Sequence, residues 1–120
     1  MAGRKRIIVL DDDASVLASI ERLLRLSGYE TEVFSDVPSF VAAASLDGAS
    51  CMVLDIDLGE YSGIDLKLKL ASAGIEVPAI FITAMDDKAT EGFALEAGCV
   101  AYLHKPFASR DLIAAIEQAS

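Results

Sequence analysis

The chain runs Cys51-Met52-Val53-Leu54 and then stops at Asp55, with loop residues and Gly63 close behind. A short apolar run bounded by turn residues marks a strand buried on both faces. Such a strand has no polar face of its own, so the carboxylate that ends it is delivered to the rim of a sheet. Gly63 then permits the backbone turn that opens the next helix. In open α/β sheets, ligands gather at the carboxyl ends of the strands, which puts Asp55 where chemistry is expected. Taken alone, Asp55 fits a helix cap equally well, and the other strand ends must decide.

They repeat the pattern. Ile7–Leu10 is a β-branched apolar run that ends in Asp11-Asp12-Asp13. Three adjacent carboxylates repel one another unless a cation or solvent relieves them. Asp13 suits the N-cap of the helix that follows, whose Val16, Leu17, Ile20, Leu23, Leu24 and Leu26 recur at helical spacing before Gly28. Tyr29–Phe34 alternates polar with apolar residues and is expected as a second strand nearer an edge. Ser35 or Asp36 caps a second helix, with Phe40, Val41 and Ala44 on its inner face. After Asp55, a third helix runs from Gly63 to about Gly74. It carries Ile64, Leu66, Leu68 and Leu70, and its Lys67 and Lys69 are expected to face solvent. Ala79–Ile82 is a fourth apolar strand, stopping at Thr83. A fourth helix spans about Asp87 to Ala97. Val100–Leu103 is a fifth strand, running into His104-Lys105-Pro106-Phe107. Ser109 caps a last helix with Leu112, Ile113 and Ile116 inward.

Five strands alternating with five helices through short connections require right-handed parallel crossovers and a sheet covered on both faces. A single α/β domain over residues 1–120 is expected, with no second domain. The 120 residues carry 10 basic and 19 acidic side chains, a net charge of −9. A field of that sign repels phosphates and argues against direct binding of nucleic acid. No apolar run approaches the roughly 20 residues of a membrane span. Arg4, Lys5 and Arg6 lead directly into the first strand, unlike a signal peptide. Cys51 and Cys99 are too few for a disulfide framework or a zinc site. A cytoplasmic location is expected.

The strand ends thus offer Asp11 and Asp12, Asp55, Thr83 and Lys105. Carboxylates with a main-chain carbonyl and water form a hard oxygen site suited to Mg²⁺. A carboxylate beside that ion can attack phosphorus, while a hydroxyl and an ammonium hold the phosphoryl oxygens. Each residue alone has an ordinary structural explanation. All of them at successive strand tips do not.

In the order and spacing of Asp11-Asp12, Asp55 with Gly63 eight residues on, Ile82-Thr83-Ala84 and Tyr102-Leu103-His104-Lys105-Pro106-Phe107, the chain resembles the receiver domain of bacterial two-component response regulators. The local style around Phe34, Phe40 and Ala79–Ala84 resembles receivers joined to LuxR-type DNA-binding domains. The resemblance implies a (βα)5 doubly wound, flavodoxin-like fold with strand order 2-1-3-4-5. It implies that Asp55 accepts a phosphoryl group from the phosphohistidine of a sensor histidine kinase. Asp12, Asp55 and the main-chain carbonyl of Asp57 would then hold Mg²⁺, with Asp11 acting through water. Thr83 and Lys105 would contact the phosphoryl group, and Tyr102 would act as a rotameric switch or serve simply as a core aromatic. The face made by the fourth helix, fifth strand and fifth helix would be remodelled, and could join two copies. On this reading the chain is no enzyme beyond catalysing its own phosphorylation and dephosphorylation.

Three residues depart from the family pattern. Gly59 stands where a proline is usual, which predicts a looser loop. Asp57 adds a carboxylate at the site mouth, where its charge would slow an anionic phosphodonor. Met85, two residues past Thr83, has no polar group to orient water. One alternative is a haloacid-dehalogenase-type phosphotransferase using Asp55 and Asp57, although Gly59 replaces the Thr or Val expected there and no substrate cap is evident. Another is an interaction module that has kept the fold without phosphorylation. A dinucleotide or flavin fold fits less well, since no Gly-rich phosphate loop follows the first strand.

Overall fold

The computed structural model describes residues 4–44, 46–84 and 88–119. The elements in chain order are β1 (Arg6–Leu10), α1 (Ala14–Leu26), β2 (Glu30–Phe34), α2 (Val37–Ala43), β3 (Cys51–Asp55), β4 (Asp57–Leu58), β5 (Tyr61–Ser62), α3 (Gly63–Ser72), β6 (Ala79–Thr83), α4 (Lys88–Glu96), β7 (Ala101–His104) and α5 (Ser109–Ala119). Five strands form one parallel sheet in the order β2-β1-β3-β6-β7. Numbered among themselves, they give the expected order 2-1-3-4-5.

The periodicity of each strand explains its place. β3 and β6 are buried at all five positions, and they lie at the centre. β2 and β7, with mixed sequences, are half-buried and form the two edges. Because β1, β3 and β6 carry apolar residues on both faces, helices must cover both. Ile7, Val9, Val53, Ile80 and Ile82 meet α1 and α5, while Ile8, Leu10, Met52, Leu54 and Phe81 meet α2, α3 and α4. Burying side chains of this size stabilises the fold by about 1.5–3 kcal/mol each.

Local signals set the helix ends. Asp13 caps α1, its carboxylate accepting from the Ser15 and Val16 amides at 2.9 and 3.3 Å. Asp36, rather than Ser35, caps α2 through the Ser39 amide at 2.7 Å. Ser62 caps α3. Ser109 is the first residue of α5 rather than a residue before it.

Helical phase departs from expectation at four residues. Lys67 is buried, 5% exposed, and donates from Nζ to the Val77 carbonyl at 3.1 Å. Leu68 is 47% exposed instead. The alternation Leu-Lys-Leu-Lys has a period of two, which a helix cannot honour, so one lysine must turn inward and find a carbonyl. Val41 and Leu26 also face solvent, at 68% and 77% exposure, leaving Val37 and Phe40 as the buried residues of α2. Asp87, expected to open the fourth helix, and Met85 lie outside the described residues.

Candidate functional site

The carboxyl ends of β1, β3, β6 and β7 converge on one rim. β1 stops at Leu10, so Asp11 follows as the first residue past the strand. Its amide still donates to the Phe34 carbonyl at 3.2 Å, which keeps it in the sheet and buries it fully. Its Oδ1 accepts from the Asp13 amide at 2.8 Å. Asp12 is exposed. Asp55, 3% exposed, ends β3 beside Ile82 of β6. Its Oδ1 accepts from the Asp57 amide at 3.1 Å.

Lys105 joins the two buried carboxylates. Its amide donates to the Thr83 carbonyl at 2.7 Å, anchoring the end of β7 to the end of β6. From there its Nζ lies 2.9 Å from Asp11 Oδ2 and 3.2 Å from Asp55 Oδ2. The Lys105–Pro106 peptide is cis. Thr83 is fully buried at the tip of β6, level with His104. Tyr102, opposite Phe81 on β7, is half-buried against the core of the α2–α4 face.

Electrostatics follows from this crowding. Burial pushes the Asp55 carboxyl up to about 7, and the Asp11 charge adds to the rise; Lys105 and the Asp57 amide oppose it without prevailing. Burial pulls the Lys105 ammonium down, but the Asp11 and Asp55 carboxylates outweigh that and hold it above its ordinary range. Asp13 is held low, first by the Ser15 hydroxyl and then by the Val16 and Ser15 amides of the helix terminus.

Asp11, Asp12 and Asp55 each present a carboxylate oxygen within 4.8 Å of the others. Asp11 Oδ2 is buried without a hydrogen bond of good geometry, although the Lys105 ammonium lies beside it. One ammonium set against three carboxylates leaves net negative charge. Three carboxylate oxygens this close together, with one ammonium among them, suit a hard divalent cation.

The structure therefore brings together Asp11, Asp12, Asp55 and Lys105, with Thr83 joined through the Lys105 backbone. Tyr102 stands on β7, opposite Phe81 and further back from the rim than His104. Asp57 is exposed and reaches Asp55 by its amide. Sequence reasoning missed what lies between Asp57 and Ser62. The stretch is a two-stranded antiparallel hairpin, Asp57 opposite Ser62 and Leu58 opposite Tyr61, where the sequence alone suggests an irregular loop. The signal was present as Leu-Gly-Glu-Tyr, a glycine opening a two-residue turn between apolar residues. Gly63 is required for space rather than for a turn. Its φ is not in the left-handed region; instead a Cβ there would overlap the carbonyl oxygen of Asp55.

Known proteins share the sequence family and the fold of this chain. The profile of the response regulator receiver domain matches residues 7–117. The response regulator protein TodT of Pseudomonas putida is 34% identical over 120 residues, covering 99% of this chain and 53% of TodT. A CheY-like response regulator receiver domain protein from Methanospirillum hungatei superposes with a TM-score of 0.85 at 29% identity, covering 97% of this chain and 93% of its own. The BeF3-activated DrrB receiver domain superposes at 0.86 with 25% identity, covering 96% of each chain. The chain spans about half the length of the curated relatives it matches.

Proposed function

This chain belongs to the response regulator receiver family, a family of signalling domains, and we propose that it is a switch thrown by phosphorylation of Asp55 within a receiver unit covering residues 1–120. The observation that carries the reading is the Lys105 ammonium set between the buried carboxylates of Asp11 and Asp55. A buried carboxylate pair beside an ammonium is costly to maintain for stability alone, and it has the parts that phosphoryl transfer needs.

An oxygen of Asp55 attacks phosphorus as the bond between phosphorus and the donor breaks, the donor being the phosphohistidine of a sensor histidine kinase. Asp55 must be ionised to attack. Lys105 favours that state by contact with Oδ2, and the Asp57 amide does so through Oδ1. Asp12, Asp55 and the Asp57 carbonyl, with Asp11 through water, are the residues that would hold Mg²⁺. When bound, the ion neutralises charge on the phosphoryl oxygens. Lys105 and the Thr83 hydroxyl would contact phosphoryl oxygens and offset their charge. These contacts exist only in the phosphorylated state, so they shift the balance of conformations toward it. Tyr102 lies on β7 and packs against the same core cluster as Ala94 of α4, which supports the α4–β7–α5 face as the one that responds. Phe93 and Leu95, 61% and 60% exposed, supply apolar surface there for a second copy or a target. The reaction and its kinase belong to the cytoplasm, and the net charge of −9 weighs against direct contact with nucleic acid.

Intact-mass analysis after treatment with acetyl phosphate and Mg²⁺ tests the reading. One added phosphoryl group is expected, lost in Asp55→Asn and without Mg²⁺. Undiminished labelling of Asp55→Asn would overturn the assignment. Repeated turnover of a phosphomonoester would indicate a phosphotransferase instead. No labelling and no beryllofluoride binding would leave only an interaction module. Normal labelling of Thr83→Ala with an unchanged response of the α4–β7–α5 resonances would remove the coupling through Thr83.

A further inference from the structure

The segment directly after Asp55 is built as a closed ring. The Gly63 amide donates to the Ile56 carbonyl at 2.9 Å, Asp57 pairs with Ser62 and Leu58 with Tyr61, and Gly59-Glu60 turns the chain. Gly59 has φ +72°, and Glu60 is not in the left-handed region. A two-residue turn with glycine at its first position and that sign of φ twists in the sense an antiparallel pair requires. Ile56 and Leu58 are buried, 6% and 7% exposed, so the ring is nailed to the core on the side facing α3.

Two contacts tie this ring to the acceptor. The Asp57 amide donates to Asp55 Oδ1 at 3.1 Å, so the position of β4 decides where one carboxylate oxygen is held. At the other end, Gly63 sits directly on the last peptide of β3. A Cβ there would overlap the Asp55 carbonyl oxygen and lie 3.1 Å from its carbonyl carbon and 3.3 Å from Ile56 Cα. All three atoms are backbone, which cannot give way as a side chain would. The same peptide is fixed from the far side, where the Ile56 amide donates to the Ile82 carbonyl at 3.0 Å. An added methyl must therefore push the ring outward or rotate the peptide on which the Asp55 side chain stands.

We propose that the 56–63 hairpin is a clamp that positions the Asp55 carboxylate, with Gly63 and Gly59 as its positioning residues: Gly63 by permitting contact with the Asp55 backbone, Gly59 by closing the turn. The proposal rests on the reading of Asp55 as phosphoacceptor for its consequence, though not for its geometry. Proline at position 59 is disallowed here, since its ring locks φ near −65°.

The test compares Gly63→Ala, Gly59→Pro and the control Gly74→Ala in the whole chain. Gly74 also has positive φ (+83°) but lies beyond the far end of α3. Amide hydrogen exchange at Asp57 and Gly63 is read without metal, and the initial rate of Asp55 labelling by acetyl phosphate is read at saturating Mg²⁺. Gly63→Ala and Gly59→Pro should each speed exchange at both amides and slow labelling, by about tenfold or more for Gly63→Ala. Gly74→Ala should lower the thermal midpoint and leave both readouts at native values. Should Gly63→Ala fail to fold, Gly59→Pro carries the test, because its backbone strain falls on an exposed two-residue turn outside the core. Native exchange at both amides in a folded variant overturns the clamp, as does an equal loss in Gly74→Ala. If the native protein takes no label at all, the phosphoacceptor reading fails, while the exchange data still decide the clamp.

Discussion

β3 and α4 border the same core and are held in opposite ways. All five residues of β3 are buried, it pairs with β1 and β6, and its end is gripped by the hairpin. In α4, Ala94 is the buried residue, Phe93 and Leu95 point outward, and Gly92 sits mid-helix with open space around it. The contrast has a physical reason. A buried carboxylate keeps its place only if the surrounding backbone cannot relax, whereas a helix with one buried residue depends on its own propensity. The Asp55 end of β3 is enclosed on every side, and α4, on the face proposed to respond, is anchored by Ala94.

The largest effect should come from opposite truncations. Phe81→Ala, at a fully buried site, should cost about 3–5 kcal/mol in urea unfolding, and Phe93→Ala within about 0.5 kcal/mol. Comparable losses would show that α4 is packed as firmly as the sheet.

Next comes the charge on β3. Burial pushes the Asp55 carboxyl of the folded chain up to about 7, from 3.8 ordinarily. Between those values the native state binds the extra proton. Its stability therefore falls as pH rises through that window, and the full cost stands above 7. In EDTA, Asp55→Asn escapes this cost. It should gain stability over the native chain from about pH 4 to 7, reaching on the order of 1 kcal/mol after loss of the Lys105 contact is allowed for. A difference independent of pH would contradict a desolvated Asp55 carboxyl.

Gly92→Ala should firm up α4 by up to about 1 kcal/mol of helix propensity. Slower amide exchange confined to α4 is expected, together with a smaller resonance shift on beryllofluoride binding. Exchange unchanged in α4 would mean that packing already holds it.

The smallest effect belongs to Asp57→Asn. Its exposed carboxylate is largely screened, so labelling by acetyl phosphate should speed up by less than about threefold at low ionic strength and not at all at high salt. Equal rates at both ionic strengths would leave Asp57 only its main-chain groups.

Much of this was legible in the residues themselves. Apolar runs that stop at Asp11, Asp55 and Thr83 define buried parallel strands and their order of appearance, because a strand without a polar face has to be covered on both sides. The caps at Asp13 and Asp36 are equally local. Three things were not legible. Lys67 and Leu68 compete for one inward position, and only the arrangement of α3 over the Val77 carbonyl decides between them. Gly59 reads as looseness in isolation, yet it becomes the turn of a hairpin once Leu58 has a core to enter. Gly63 reads as a turn residue, but its requirement comes from the Asp55 carbonyl pressed against it, and no pattern of neighbours in sequence reports a contact across eight residues. Periodicity and capping act within a few residues and survive in the sequence. Close approach and the pairing of Lys105 with Asp11 and Asp55 exist only after the chain has folded back on itself.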